Sequence, residues 1–165
     1  MAKSVVAVTL ELPGVPAPVQ ILTTHLQADS RNEPVRRNQV DDITVFLGRI
    51  PFGGAPAIFA GDFNFKPRHP SYHKFVRETA FADAGLRCLA APSACEVVLE
   101  PGPTDWTDVW KTTNDRQFFY QPPESPLRIE PIRVIRNFTE PVARGGERGF
   151  LSDHWGYEVH YRIRW

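Results

Sequence analysis

Residues 55–60 read Ala-Pro-Ala-Ile-Phe-Ala. This apolar run is too short for a stable helix and has the character of a strand buried in a core. Helical patterns flank it on both sides. Upstream, Val40, Ile43, Phe46, Leu47 and Ile50 recur at helical spacing. Asn32 is placed to cap that helix, Pro34 suits its first turn, and Pro51 with Gly53-Gly54 ends it. Downstream, a second helix is expected from about Ser71 to before Gly85, with Tyr72, Phe75 and Val76 turned inward. A buried strand between amphipathic helices restricts the chain to a layered α/β arrangement.

The remaining segments supply further strands. Residues 4–12 and 18–24 are strand-like, separated by the turn Pro13-Gly14-Val15-Pro16, and are expected to pair antiparallel and end at His25. Residues 86–104, rich in Pro, Ala and Gly, read as loop. Residues 117–120, 127–136 and 157–165 read as strands, and Pro131 marks an edge or a bulge in the second of these. Residues 143–149 read as a flexible, arginine-containing loop. The expectation is one domain over residues 1–165, with helices covering a largely antiparallel sheet.

Composition narrows the function classes. Apolar residues make up 42% of the 165, charged residues 23%, and the formal net charge is zero. These are the proportions of an ordinary globular protein. A neutral chain gives no electrostatic ground for tight nonspecific nucleic-acid binding, although a local basic patch is compatible with it. Neither a signal-peptide pattern nor a membrane-spanning apolar stretch is present, so a soluble, cytoplasmic protein is expected. Cys88 and Cys95 form no CxxC pair. They read as two thiols in a reducing compartment, with a local disulfide as the alternative.

Four places can carry chemistry. In Gly61-Asp62-Phe63-Asn64, directly after the buried run, extended backbone would turn Asp62 and Asn64 to one side and Phe63 to the core. Gly61 would leave room for a ligand near the backbone. A carboxylate and an amide so spaced can hold a water and a phosphate oxygen, or can simply form a turn. His25 at a strand end can donate to phosphate, or can be a half-buried, backbone-satisfied histidine. Adjacent Asp153 and His154 would point in different directions, one to a metal-water cluster and one to a scissile phosphorus, or they cap the last strand. Asp115 can orient His154 and stabilise its protonated form, or can be a turn residue.

In chain order these strand ends carry His, Asp-x-Asn, Asp and Asp-His. The pattern resembles the endonuclease/exonuclease/phosphatase superfamily, which includes deoxyribonuclease I, abasic-site endonucleases, inositol polyphosphate phosphatases and neutral sphingomyelinases. The resemblance runs from about Val5 to the C-terminus and is sharpest in Gly-Asp-Phe-Asn and Ser-Asp-His. The run from Thr24 to Asp29, followed by Arg36-x-x-Gln39, looks most like bacterial and neutral sphingomyelinases, with the Arg/Gln pair read as structural. The resemblance implies a layered α/β sandwich of the deoxyribonuclease I-like type and a magnesium-dependent phosphoesterase that cleaves a phosphodiester with water. A sphingomyelin-like phospholipid is favoured over nucleic acid as substrate, with a nuclease as the alternative. It further implies His154 as general base, Asp115 orienting it, Asp62 positioning the nucleophile, Asn64 binding phosphate or water, and His25 stabilising phosphoryl charge. Asp153 would belong to the magnesium-water network.

The chain departs from the superfamily pattern in one respect. Members are longer, and their N-terminal half supplies an asparagine and a metal-holding glutamate that nothing here matches. Glu11 and Glu33 stand in the wrong context. The expectations are therefore a fragment, a subunit completed by another chain or by self-association through an exposed sheet face, or a non-catalytic domain. His69 and His73 read as solvated, and His160 as structural. Trp106, Trp110, Trp155 and Trp165 read mainly as packing residues, and Arg144 and Arg148 as part of a solvated loop.

Overall fold

The computed structural model describes residues 4–98, 114–137, 142–144, 147–149, 154 and 156–165. Strands β1 (Val5–Leu10) and β2 (Val19–His25) form the expected antiparallel pair, with Val5 opposite Thr24. Helix α1 (Glu33–Leu47) returns the chain so that β3 (Ala57–Asp62) lies parallel to β2. After α2 (Pro70–Thr79) come the two-residue strand β4 (Ala82–Asp83), α3 (Ala84–Ala90) and β5 (Glu96–Val98). Strands β6 (Asp115–Tyr120), β7 (Arg128–Asn137), β8 (Val142–Arg144), β9 (Glu147–Gly149) and β10 (Gly156–Arg164) complete the described elements. The first sheet has the order β1-β2-β3-β6-β4 and the second β10-β7-β5, while β8 and β9 pair with each other. Most pairs are antiparallel. The β2–β3 and β5–β7 pairs are parallel.

The core lies between the first sheet and its helices. Leu22, Phe59 and Phe118 stand directly across from one another on β2, β3 and β6 and are all fully buried. Val40, Ile43 and Leu47 of α1 and Tyr72 and Phe75 of α2 close over them. Phe63 lies edge-on to Phe59 at 5.1 Å and to Phe118 at 4.9 Å. Each such side chain contributes roughly 1.5–3 kcal/mol on burial. Phe46, Ile50 and Val76, expected on the helix stripes, pack at the margin of this cluster.

Among the described residues, the opposite face of the sheet meets the second sheet at the β6 end. There Phe119 contacts Tyr161 with ring centroids 6.3 Å apart, and Gln117 Nε2 donates to the Tyr157 carbonyl at 3.1 Å. Towards β1 this face opens to solvent, with Val6 and Val8 each more than half exposed. Pro131 lies at a bulge, because the β10–β7 register shifts between His160 and Tyr161. Its missing N–H is accommodated there. No helix among the described residues is long and apolar enough to cross a membrane.

Three expectations are corrected. Within residues 86–104, read as loop, the chain forms the end of α3 and all of β5, and residues 99–113 lie outside the described part. Asp83 starts α3 by accepting the Leu86 N–H at 3.1 Å, a side-chain cap inside a segment whose alanines and glycine carry no strong period. Cys88 and Cys95 are not separate thiols. The turn after α3 brings their Cα atoms to 4.9 Å and they form a disulfide, buried against Val134. Finally, part of 143–149 is not loop, since β8 and β9 pair with Val142 opposite Gly149.

Candidate active site

The strand register assembles the site. His25, the last residue of β2, lies beside Asp62, the last of β3, and Asp62 lies opposite Asp115, the first of β6. Three groups far apart in sequence thus form one row at one end of the sheet. His154, just before β10, reaches this row, its Nδ1 2.6 Å from Asp115 Oδ2. His25 Nε2 lies 3.4 Å from Asp62 Oδ2. One ligand atom from each of Asp62, Asp115 and His154 falls within 4.8 Å of the others. A cleft of about 200 Å³ opens beside Asp115, lined also by Gly61, Gly156 and Tyr157.

Burial pushes the Asp115 carboxyl above the ordinary aspartate range, and the negative charge of Asp62 adds to this. His154, through its charge and hydrogen bond, and His25 pull the other way, but the net direction is up. The short contact fixes the His154 ring. With Asp115 accepting from Nδ1–H, the lone pair is on Nε2, the nitrogen able to take a proton from water.

Gly61 and Asn64 both leave the regular extended backbone, and of the two readings open for Asp62 and Asn64 the turn is present. Gly61 has φ +150°, and a Cβ there would stand 2.1 Å from the Thr24 carbonyl oxygen. Its missing side chain makes room for the neighbouring strand. This close approach lets the Leu26 N–H bond the Asp62 carbonyl at 2.8 Å, one step beyond the strand ends. Asn64 leaves the extended conformation, with φ +50°, so alternation no longer governs its direction. Its N–H donates to Asp62 Oδ1 at 2.9 Å and its Nδ2 to the Leu26 carbonyl at 3.0 Å. Asp62 and Asn64 therefore do form a turn, while the Asp62 carboxylate still joins the site. Phe63 between them is fully buried. Asp153 lies outside the described residues, as do Trp106, Trp110 and Trp155.

Sequence reading missed the groups that hold this end of the sheet in place. The Arg116 side chain, next to the site, is buried: Nη1 lies 2.6 Å from Asp83 Oδ2, Nε donates to the Phe65 carbonyl at 3.2 Å, and the guanidinium stands 5.4 Å from the Tyr72 ring centre. Arg36, expected to be structural, is 1% exposed and holds the loop after His25. His69, read as solvated, is partly buried, accepts the Lys66 N–H at 3.3 Å, and burial lowers its pKa. Glu33 binds Arg36 and Ser71. Isolated Asp, Arg and Glu residues carry no spacing signal for such pairings. The Arg36-x-x-Gln39 pattern was the single visible trace.

No family model and no curated protein matches the chain. Solved structures do. A humanised zebrafish (D. rerio) TDP2 superposes with a TM-score of 0.66 at 18% identity, over 97% of this chain and 60% of its own. An endonuclease/exonuclease/phosphatase family protein from Bacteroides thetaiotaomicron superposes with 0.63 at 18% identity, over 90% of this chain and 51% of its own. The fold is shared with these proteins, a layered α/β sandwich of the deoxyribonuclease I-like type. Staphylococcus aureus beta toxin, in a structure with bound magnesium ions, matches with 0.61 at 17% identity, over 96% of this chain and 57% of its own. The chain thus spans little more than half the length of these proteins. At such identities the likeness concerns the fold.

The described donors suit a hard divalent cation. Asp62 and Asp115 offer carboxylate oxygens beside His154. Magnesium commonly takes one or two protein carboxylates and keeps several waters.

Proposed function

We propose that this chain carries the site of a metal-dependent phosphoesterase that cleaves a phosphodiester with water. The observation behind the proposal is the convergence of His25, Asp62, Asp115 and His154 at one end of the sheet. His154 Nε2 takes a proton from the attacking water. Asp115 holds the ring and stabilises its protonated form. Asp62 accepts a hydrogen bond from the water's other O–H and so aims its oxygen. His25 donates to a phosphoryl oxygen where negative charge builds. Asn64 acts by fixing the turn that presents Asp62, and its contact with phosphate or water remains part of the proposal. Magnesium, when bound by Asp62 or Asp115 with Asp153, would neutralise the phosphate and the leaving oxygen.

A phospholipid-type substrate is the favoured class. Zero net charge supports it over a nucleic acid, as does the sphingomyelinase-like run from Thr24 to Gln39. The missing glutamate of the superfamily pattern points to a further ligand from outside this stretch of sequence. A segment or partner covering the exposed Val6 and Val8 face is the proposed source.

The test is hydrolysis of bis-p-nitrophenyl phosphate and release of phosphocholine from sphingomyelin, each with magnesium and with excess chelator. Turnover that chelator abolishes and magnesium restores is expected. Cleavage confined to DNA or RNA and steeply weakened by salt would replace the lipid substrate with a nuclease substrate. No turnover and no magnesium binding would make this stretch a non-catalytic domain.

A further inference from the structure

Two loops leave the site. One runs from His25 to α1, the other from Asp62 to α2. Beside the site they are joined by Asn64 Nδ2 and the Leu26 carbonyl, 3.0 Å apart. Farther out a second link joins them, built on Glu33. Its Oε1 accepts the Ser71 N–H at 2.8 Å and the Ser71 hydroxyl at 2.7 Å. Its Oε2 accepts from Arg36 Nη2 at 3.0 Å. Arg36 Nη1 in turn donates to the carbonyls of Gln27 at 2.9 Å and Asp29 at 2.6 Å. Gln39 Oε1 takes the Gln27 N–H at 3.0 Å.

This link has the properties of a built device. Arg36 is 1% exposed and Ser71 0%, while the Glu33 side chain between them is 20% exposed. His69, the residue before α2, supplies no side-chain cap to that helix, and Glu33 from another element supplies it instead. A carboxylate at a helix N-terminus is favoured by the helix dipole as well as by its hydrogen bonds. Each loop also holds one non-glycine residue at positive φ, Asp29 at 75° and Asn64 at 50°. Such conformations persist where the surroundings enforce them. The Glu33 network grips Asp29 through its carbonyl, and the separate bond to Leu26 holds Asn64 through its amide.

We infer that Glu33 is a positioning residue of the site: it locks the loop after His25 to the loop after Asp62 and so holds the imidazole and the carboxylate in register. This rests on the phosphoesterase reading for its kinetic consequence, but not for its structural one. A displacement of about 1 Å in a catalytic group can lower turnover about 100-fold.

The experiment compares the wild-type chain with Glu33→Ala, Glu33→Gln and Ser71→Ala. For bis-p-nitrophenyl phosphate, kcat of Glu33→Ala should fall about 100-fold with KM within about threefold of wild type. Glu33→Gln keeps an acceptor for Ser71 and should recover part of the loss, and Ser71→Ala should show a smaller loss of the same kind. Amide exchange of Gln27 and of Ser71 should accelerate together in Glu33→Ala. An unchanged kcat, a rise in KM alone, or faster exchange at Ser71 without Gln27 would overturn the inference. If the wild type hydrolyses nothing, the phosphoesterase reading falls, and exchange still decides the link: joint acceleration supports it, separate behaviour ends it. If Glu33→Ala fails to fold, Ser71→Ala carries the same comparison.

Discussion

His154→Ala is expected to lower kcat/KM for phosphodiester hydrolysis about 100- to 10,000-fold, the range supplied by a positioned general base. The expectation follows from the 2.6 Å contact between His154 Nδ1 and Asp115, which leaves Nε2 as the nitrogen able to take a proton. Asp62→Ala should cause a loss of similar order, because the nucleophile then loses its aim. The pH profile reports the same pair. Burial raises the Asp115 pKa, so as pH falls this carboxyl is protonated earlier than an ordinary aspartate. A protonated Asp115 cannot stabilise the imidazolium. Protonation of Asp115 should therefore depress kcat from above the usual aspartate range, and Asp115→Asn should lower the plateau. The stability linkage has the opposite sense. A raised carboxyl pKa favours the folded state at low pH, and that advantage is lost as pH rises through the folded-state value. Turnover in His154→Ala within threefold of wild type, an estimate well inside about one decade, would remove the proposed base.

Asp83→Ala should destabilise the fold by about 3–5 kcal/mol, the cost of taking one partner from a buried ion pair. Asp83 and Arg116 are both nearly inaccessible, with side chains 3% and 8% exposed. The variant removes the carboxylate from a buried guanidinium and also the cap that starts α3. Asp83→Asn retains an acceptor for the Leu86 N–H and should lose less. Equilibrium urea unfolding measures the difference. A loss below about 1 kcal/mol for Asp83→Ala would show that the pair behaves like an exposed one.

Much of the layer pattern was legible because hydrophobic periodicity is a strong local signal. The β1–β2 pair, both helix stripes and the buried face of β3 each follow from spacings within a dozen residues. The convergence at the site was legible only through the order of motifs along the chain. No local rule says that His25, Asp62 and Asp115 share one row, because a parallel and an antiparallel register together create it. The α3–β5 segment was invisible for a related reason. Its helix is short and rich in small residues, and it is started by a side-chain cap and followed by a disulfide turn, not marked by an apolar stripe. Gly61 shows the limit of reading a glycine as vacancy. The sequence shows that a side chain is absent, but only the strand register shows that the Thr24 carbonyl fills the space. The Glu33, Arg36 and Ser71 network joins residues 38 apart, and Asp83 lies 33 from Arg116. Long-range polar pairs of this kind leave no period behind.

The most direct test of the proposed site follows the histidine ring resonances by NMR while inorganic phosphate is added in the presence of magnesium. His25 and His154 should shift together along one saturation curve, while His73 and His160, on other surfaces, stay in place. Separate curves for His25 and His154, or no movement of either while another histidine responds, would contradict a common phosphate site at this end of the sheet.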